Sequence, residues 1–181
     1  MIRAPAFAGL QGAGEPMTTT AGAAMDPAEF RNAIGRFLTG VTVITTAHDG
    51  VLHGITASAV ASLSVDPPTL LVCLNKQSAT RGAVTAARRF VVNVLSAEQA
   101  ELAMHFASKS PEKFVRMEVE TSPHGLPCLP GAIATLDCAV VTEIDGGTHS
   151  IFVGRAEAGS AGSGAPLGYF RGRFVQVEPE A

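Results

Sequence analysis

Short runs of β-branched and other apolar residues, separated by turn-forming residues, occupy most of the chain. The two clearest runs are 41–46 and 51–55, and the segment between them, which ends in Gly50, predicts a β-hairpin. The same pattern predicts further strands at 57–65, 69–74, 90–95, 132–143, 150–157 and 173–178. Because few helical segments separate these strands, the sequence favours a mainly β fold, a β-barrel with inserted helices, over a βαβ sheet.

Three helices are predicted between the strands. The first begins at Asp26, whose carboxylate can accept backbone N–H bonds, and Glu29 completes a capping-box arrangement. Its apolar residues recur at helical spacing and are expected to cover a core: Phe30, Ala33, Ile34, Phe37 and Leu38. The other two helices are predicted at 79–88 and 96–106.

Charge and cysteine content exclude several classes of partner. The 13 Lys and Arg against 16 Asp and Glu give a net charge of -3, without the basic face that nucleic acid needs. No apolar stretch reaches the roughly 18 to 20 residues of a membrane-spanning helix. The 3 cysteines form no C-x-x-C pair and the 5 histidines are scattered, so no metal site is predicted. Cys73 and Cys138 lie in apolar runs and are expected to be buried thiols.

Composition also divides the chain. Residues 1–25 are rich in Ala, Gly, Pro and Thr and show no strand or helix period, which predicts a disordered leader. This segment lacks the continuous apolar stretch of a secretory signal, so a cytoplasmic location is expected. Residues 26–181 are predicted to form one domain. The glycine-rich segment 162–168 misses dinucleotide-binding spacing by one residue and contains Pro166, so it is interpreted as a flexible loop.

Two polar segments are candidates for a ligand site. In the first, strand alternation places the hydroxyls of Thr56, Ser58, Ser62 and Ser64 on one face and small or apolar side chains on the other. In the second, residues 75–81, Ser78 can cap the N-terminus of a helix. Two cationic side chains lie nearby in the sequence, so this helix end favours the binding of an anion. Together they suggest a phosphorylated, flat, polar heterocycle, a nucleotide or a flavin. The alternative is a solvent-facing edge strand and an ordinary helix cap.

The motifs in these segments resemble those of the short-chain flavin reductases, the small components of two-component flavin-dependent monooxygenases. The similar stretches include T-G-V-T-V-I-T-T at 39–46, G-I-T-A-S at 54–58 and S-L-S-V-D-P-P at 62–68. The resemblance runs from about Asp26 to Val177. It implies a homodimeric FMN-binding split β-barrel that uses NADH or NADPH to reduce a diffusible FAD or FMN for a partner monooxygenase. FAD and NADH are the family's usual choice.

The resemblance also implies roles for individual residues. Four residues would line the isoalloxazine ring: Thr56, Ala57, Ser58 and Ala59. Three would follow the ribityl chain and phosphate: Ser62, Leu63 and Ser64. Three would approach the phosphate or the adenylate: Ser78, Thr80 and Arg81. His149 would lie near the nicotinamide, and Phe170 with Arg171 matches an aromatic-plus-basic motif of the family.

Three positions depart from the family pattern. Thr148 stands where an acid usually precedes His149, Val60 replaces a common aromatic residue, and Gly168 replaces an aliphatic one. None of these changes affects hydride transfer directly, because that reaction needs two stacked rings more than it needs acid–base side chains. Two other functions stay open from the residues: an oxidase-like flavoprotein, similar to pyridoxamine-phosphate oxidase, with tightly bound FMN, and a non-catalytic flavin- or haem-binding protein.

Overall fold

The computed structural model of the protein describes residues 24–177, so most of the predicted leader lies outside the described residues. The helices are α1 Pro27–Ile34, α2 Ala79–Ala87 and α3 Ala100–Ala107. The strands are β1 Thr39–Gly40, β2 Thr42–His48, β3 Val51–Ala57, β4 Val60–Val65, β5 Pro68–Asn75, β6 Arg89–Val94, β7 Glu120–Thr121, β8 Pro127–Cys128, β9 Ala134–Gly146, β10 His149–Ala161, β11 Leu167–Phe170 and β12 Arg173–Gln176. The predicted mainly β fold with inserted helices is confirmed.

Seven of these strands form the main sheet, in the order β3-β2-β6-β9-β10-β5-β4. Every neighbouring pair is antiparallel. β3 and β4 occupy opposite edges, yet only Ser58 and Ala59 connect them, and a chain spans at most about 3.6 Å per residue. The sheet therefore has to curl until its two edges meet, which makes it a barrel. We call the two connecting residues, Ser58 and Ala59, the seam.

The predicted hairpin of β2 and β3 is confirmed. Asp49 and Gly50 both have positive φ, at 49° and 77°, as a type I′ turn requires. The pairing runs without interruption from His48 opposite Val51 to Thr42 opposite Ala57. This register delivers the end of β3 directly to the seam.

The interior of the barrel is a continuous apolar core. Its largest fully buried members come from four strands: Ile44, Val72, Leu74, Phe90 and Phe152. A second cluster lies under α3 and includes Val43, Leu95 and Phe106. Burying each of these large side chains contributes about 1.5–3 kcal/mol, so the two clusters fix the strands that border the seam.

The prediction that the first helix covers the core of its own chain is wrong. Asp26 caps α1 as predicted, its carboxylate accepting the Ala28 and Glu29 N–H groups. None of the residues of α1 is buried, however, and Phe37, just beyond the helix, is 70% exposed. Phe30, Ile34 and Leu38 are exposed as well. The apolar residues do recur at helical spacing, but no part of residues 24–177 buries that face.

Two other predicted elements differ in extent. The strand predicted over 57–65 is divided at the seam, and a register shift between Ser62 and Ser64 interrupts its alternation again. The helix predicted from Ser96 begins only at Ala100, because Ser96 instead pairs with Pro166 in an isolated bridge. The Gln99 side chain still accepts the Ser96 N–H at 3.0 Å, as in a capping box.

Gly154 provides a test of how tightly the barrel is packed. A Cβ added there would lie 2.5 Å from the buried ring of Phe90, so Gly154→Ala should lower the free energy of unfolding by about 1–3 kcal/mol. The matched control is Gly82→Ala in α2, where a Cβ meets nothing within 4 Å. That change should raise the free energy of unfolding by about 0.5–1 kcal/mol. Urea denaturation of both variants measures the two effects, and equal stabilities would contradict this packing.

Candidate functional site

The seam lies at the boundary of two cavities. A smaller cavity of about 200 Å³ is lined by residues 55–59, by the end of β5 from Cys73 to Asn75, and by His149. A larger cleft of about 820 Å³ lies between α1, residues 58–61 and the end of β11 with its following turn, where Tyr169 and Arg171 border it. Ser58 and Ala59 line both. The sheet edges thus bring the predicted ring-binding segment and the predicted nicotinamide-side histidine to one place.

The backbone at the seam is only partly used by the fold. The Ala59 C=O accepts the Cys73 N–H at 3.0 Å, which holds the seam against β5. Within residues 24–177, the N–H and C=O of Ser58 make no backbone hydrogen bond, and Ser58 is exposed. A ligand with a polar edge can therefore pair with these two groups, because small side chains leave them accessible.

The Thr56 side chain makes a hydrogen bond within the fold. Its hydroxyl donates to the Ala103 C=O of α3 at 2.6 Å. On the opposite strand, the buried Thr42 hydroxyl donates to the Ala57 C=O at 2.7 Å. These two bonds tie the last residues of β3 to α3 and to β2. The two bonds therefore fix the position at which the seam begins. The Thr56 hydroxyl, which the sequence suggested for a ligand, is already used as a donor within the protein.

The structure does not bring the three β4 candidates to either cavity. Ser62 and Leu63 are exposed on the outer part of β4. The Ser64 hydroxyl donates to the Asp66 C=O at 3.0 Å, within the turn that leads to β5. None of the three lines either cavity, so their role stays a prediction.

The candidates at the start of α2 are largely engaged within the chain. Ser78 caps the helix as predicted, its hydroxyl accepting the Arg81 N–H at 3.3 Å. Thr80 is buried, with 4% of its surface exposed. The Arg81 guanidinium donates to Glu143 on β9 and to Ser150 on β10. None of these three residues lines either cavity. The pairing of Arg81 with Glu143, 62 residues away, could not be predicted from the sequence.

His149 occupies the first position of β10, opposite Asn75 of β5. Its Nδ1 lies 2.9 Å from the Thr148 hydroxyl, so the residue that replaces the family's acid still orients the ring through a hydrogen bond. Nε2 is the remaining ring nitrogen, and the histidine lines the smaller cavity opposite the seam.

The aromatic-plus-basic pair lies on the other side of the seam. Phe170 is the last residue of β11, and Arg171, with a positive φ of 50°, begins the turn to β12. The Arg171 N–H donates to the Gly35 C=O at 2.9 Å, which joins this turn to the end of α1. Arg171 borders the larger cleft, whereas Phe170 faces a separate depression with Phe174.

Sequence reasoning missed Cys73 and Asn75 as cavity residues. Cys73 was expected to be buried, but it is half-buried and lines the smaller cavity, and burial raises the pKa of its thiol. Cys138 is buried as predicted, and burial, helped by Asp137 and Glu157, raises its pKa to about 12. Both cavity residues lie at the end of an apolar strand, and only the pairing of β5 with β10 places them beside His149.

Residues 24–177 contain neither a candidate metal cluster nor a membrane-spanning helix. No group of three or more His, Cys, Asp or Glu side chains in this part of the chain is arranged to hold a metal ion. None of the helices there is long and apolar enough to cross a membrane.

Known proteins are similar to this chain in sequence. A reductase component of 4-nitrophenol 4-monooxygenase/4-nitrocatechol 2-monooxygenase from Rhodococcus opacus is 47% identical over 165 residues, covering 91% of this chain and 89% of that protein. The FMN reductase (NADH) RutF of Ancylobacter novellus is 40% identical over 169 residues, covering 88% of this chain and 92% of that protein.

A solved structure agrees with these relatives. The NADH:FAD oxidoreductase SgcE6 of Streptomyces globisporus C-1027, in complex with NAD and FAD fragments, matches with a TM-score of 0.81 at 34% identity. The match covers 86% of this chain and 95% of that chain. The barrel closed at the seam is the split β-barrel of these reductases. Residues 34–178 match the flavin reductase like domain, and the chain belongs to that family.

Proposed function

We propose that this protein is an NAD(P)H-dependent flavin reductase, which reduces a diffusible FAD or FMN and supplies it to a partner flavin-dependent monooxygenase. The relatives support each part of this function, since they include a monooxygenase reductase component, an NADH-dependent FMN reductase and an NADH:FAD oxidoreductase. We also propose a cytoplasmic location, because reduced nicotinamides are regenerated there.

The observation that carries this function is the seam with its two cavities. Ser58 lies at the boundary between them, its N–H and C=O make no backbone hydrogen bond within the described part of the chain, and residues 57–59 have small side chains that let a flat ring approach the backbone. The cavities extend to either side, toward His149 and toward Arg171. These residues fit a flavin, with the seam at the polar edge of its ring.

A bound flavin would supply the redox chemistry, as the acceptor of the hydride that a reduced nicotinamide donates. The protein's part would be to align the two molecules and to exclude water. The Ser58 N–H is placed to stabilise negative charge that develops on reduction. His149, whose Nδ1 is hydrogen-bonded to the Thr148 hydroxyl, lines the smaller cavity, and we expect it to contact the nicotinamide there.

A second copy of this chain is the proposed occupant of the exposed face of α1. The face is apolar over Phe30, Ile34 and Phe37, and it borders the larger cleft, whose lining includes Ile34 and Phe37. Water contact with these side chains costs free energy, so burying them against a partner favours association. A homodimer would then complete the wall of the cleft.

A direct assay tests the reductase function. Protein mixed with NADH and free FAD should consume NADH, followed at 340 nm, at a rate that depends on the flavin. Repeating the assay with FMN and with NADPH gives the preference for each substrate. Absence of flavin-dependent NADH oxidation with every pair would contradict the proposal. A protein that purifies yellow and keeps its FMN through dialysis would instead be a flavoprotein with a tightly bound cofactor.

His149→Ala should raise KM for the nicotinamide more than it lowers kcat. The reason is that the imidazole contributes to binding on the nicotinamide side, while the ring geometry depends on the seam. The matched control is His48→Ala, at the distant end of β2, which should leave both constants unchanged. Steady-state kinetics with varied NADH makes the comparison, and an unchanged KM in the His149 variant would remove this role.

Phe37→Glu should convert a dimer into a monomer, because it places a charge in the apolar face of α1. Met104→Glu on α3 is the control, since Met104 is similarly exposed, at 62%, but lies on another surface. Sedimentation velocity at micromolar concentrations measures both. A monomeric wild-type protein, or a Phe37 variant that stays dimeric, would show that α1 does not form the interface.

A further inference from the structure

A half-buried ion pair outside both cavities connects α2 to the hairpin of β9 and β10. The Arg81 guanidinium donates through one terminal nitrogen to Glu143 Oε1 at 2.5 Å and through Nε to the Ser150 hydroxyl at 2.9 Å. The second carboxylate oxygen of Glu143 accepts the Thr85 hydroxyl at 2.9 Å. One residue of α2 therefore holds both strands of the hairpin.

The surroundings of the pair make it strong. The side chain of Glu143 is 16% exposed and that of Arg81 30%, so water screens the charges less than at an open surface. Burial by itself raises the pKa of Glu143, but hydrogen bonds from Ser150 and Thr85 and the charge of Arg81 outweigh it, and the pKa is lowered. The carboxylate thus stays ionised, and paired, at neutral pH.

His149 belongs to the β9–β10 hairpin that Arg81 contacts. Ser150 directly follows the histidine in β10, and its hydroxyl accepts the hydrogen bond from Arg81 Nε. A second tie joins Lys76 to the same hairpin end, through its N–H to the Thr148 C=O at 3.1 Å and its ammonium to Asp145 at 2.6 Å. The carboxylate of this Lys76–Asp145 pair is largely exposed, and exposed pairs contribute little. Arg81 is therefore the main side-chain anchor of the strand end beside the cavity.

We propose that Arg81 is a positioning residue that fixes His149 against the nicotinamide side of the cavity, through Glu143 and Ser150, and does not bind the flavin phosphate. The proposal rests on the proposed reductase function. Nε and the terminal nitrogen form the fork that an arginine uses to bind an oxyanion with two parallel bonds. In this structure both are already committed to the hairpin.

Arg81→Gln separates the two roles by kinetics with riboflavin, FMN and FAD. A positioning role predicts that KM for NADH rises about tenfold while kcat changes less than about twofold, equally with all three flavins. Glu143→Gln should show the same pattern, and the double variant should be no worse than either single one, because all three break one contact. Arg81→Lys should recover part of the loss, since it restores the charge without the fork.

Arg155→Gln is the matched control. Arg155 also lies on β10 and pairs with an acid, Glu157, but at an exposed site away from His149. Its kinetic constants should equal those of the wild type. A rise in KM for FMN and FAD but not for riboflavin in Arg81→Gln would show that Arg81 binds phosphate and would overturn the proposal. A fall in kcat with every KM unchanged would also overturn it, since it indicates a loss of folded protein alone.

The imidazole signals of His149 give a readout that does not depend on turnover. In NMR spectra, Arg81→Gln and Glu143→Gln should shift the His149 resonances, while Arg155→Gln should not and the distant His48 resonances should stay fixed in all variants. If the wild-type protein fails to oxidise NADH, the reductase function fails, and these spectra still decide whether Arg81 positions His149. Unshifted His149 signals in both variants would contradict the positioning role.

Discussion

The link between β3 and β4 is only two residues long, and this shortness dictates the shape of the whole sheet. It joins the opposite edges of a seven-stranded sheet, so the sheet has to close into a barrel and its edges have to meet at Ser58 and Ala59. The apolar core fills the closed interior, and the two cavities open where the edges meet. The fold and the site are consequences of the same short connection.

A site formed in this way depends on backbone groups and on position more than on titratable side chains. Ser58 lines both cavities and its N–H and C=O make no backbone hydrogen bond within residues 24–177, while hydroxyls such as that of Thr56 hold the neighbouring strand in place. Hydride transfer between two bound rings suits such a site, since it asks the protein for alignment. The charged residues near the site have a different task, which is to anchor the strands, as Arg81 and Glu143 do.

Local elements could be predicted from the sequence, and their surroundings could not. The hairpin at Asp49-Gly50 and the Ser78 cap of α2 depend on residues within a few positions of each other, and both are confirmed. The apolar face of α1 was also visible, but the prediction that it covers a core was wrong, because periodicity does not say what lies opposite. Likewise, alternation over 57–65 did not reveal the break at the seam.

The mainly β fold, the family resemblance and the segments from which a flavin site could be built were all evident in the amino-acid sequence. Which residues meet at the site became evident only from the folded chain. It placed His149 opposite Asn75, brought Cys73 into the cavity and committed Arg81 to Glu143, 62 residues away. The physical reason is that sequence patterns report contacts between near neighbours, whereas these contacts follow from strand pairing across a closed sheet.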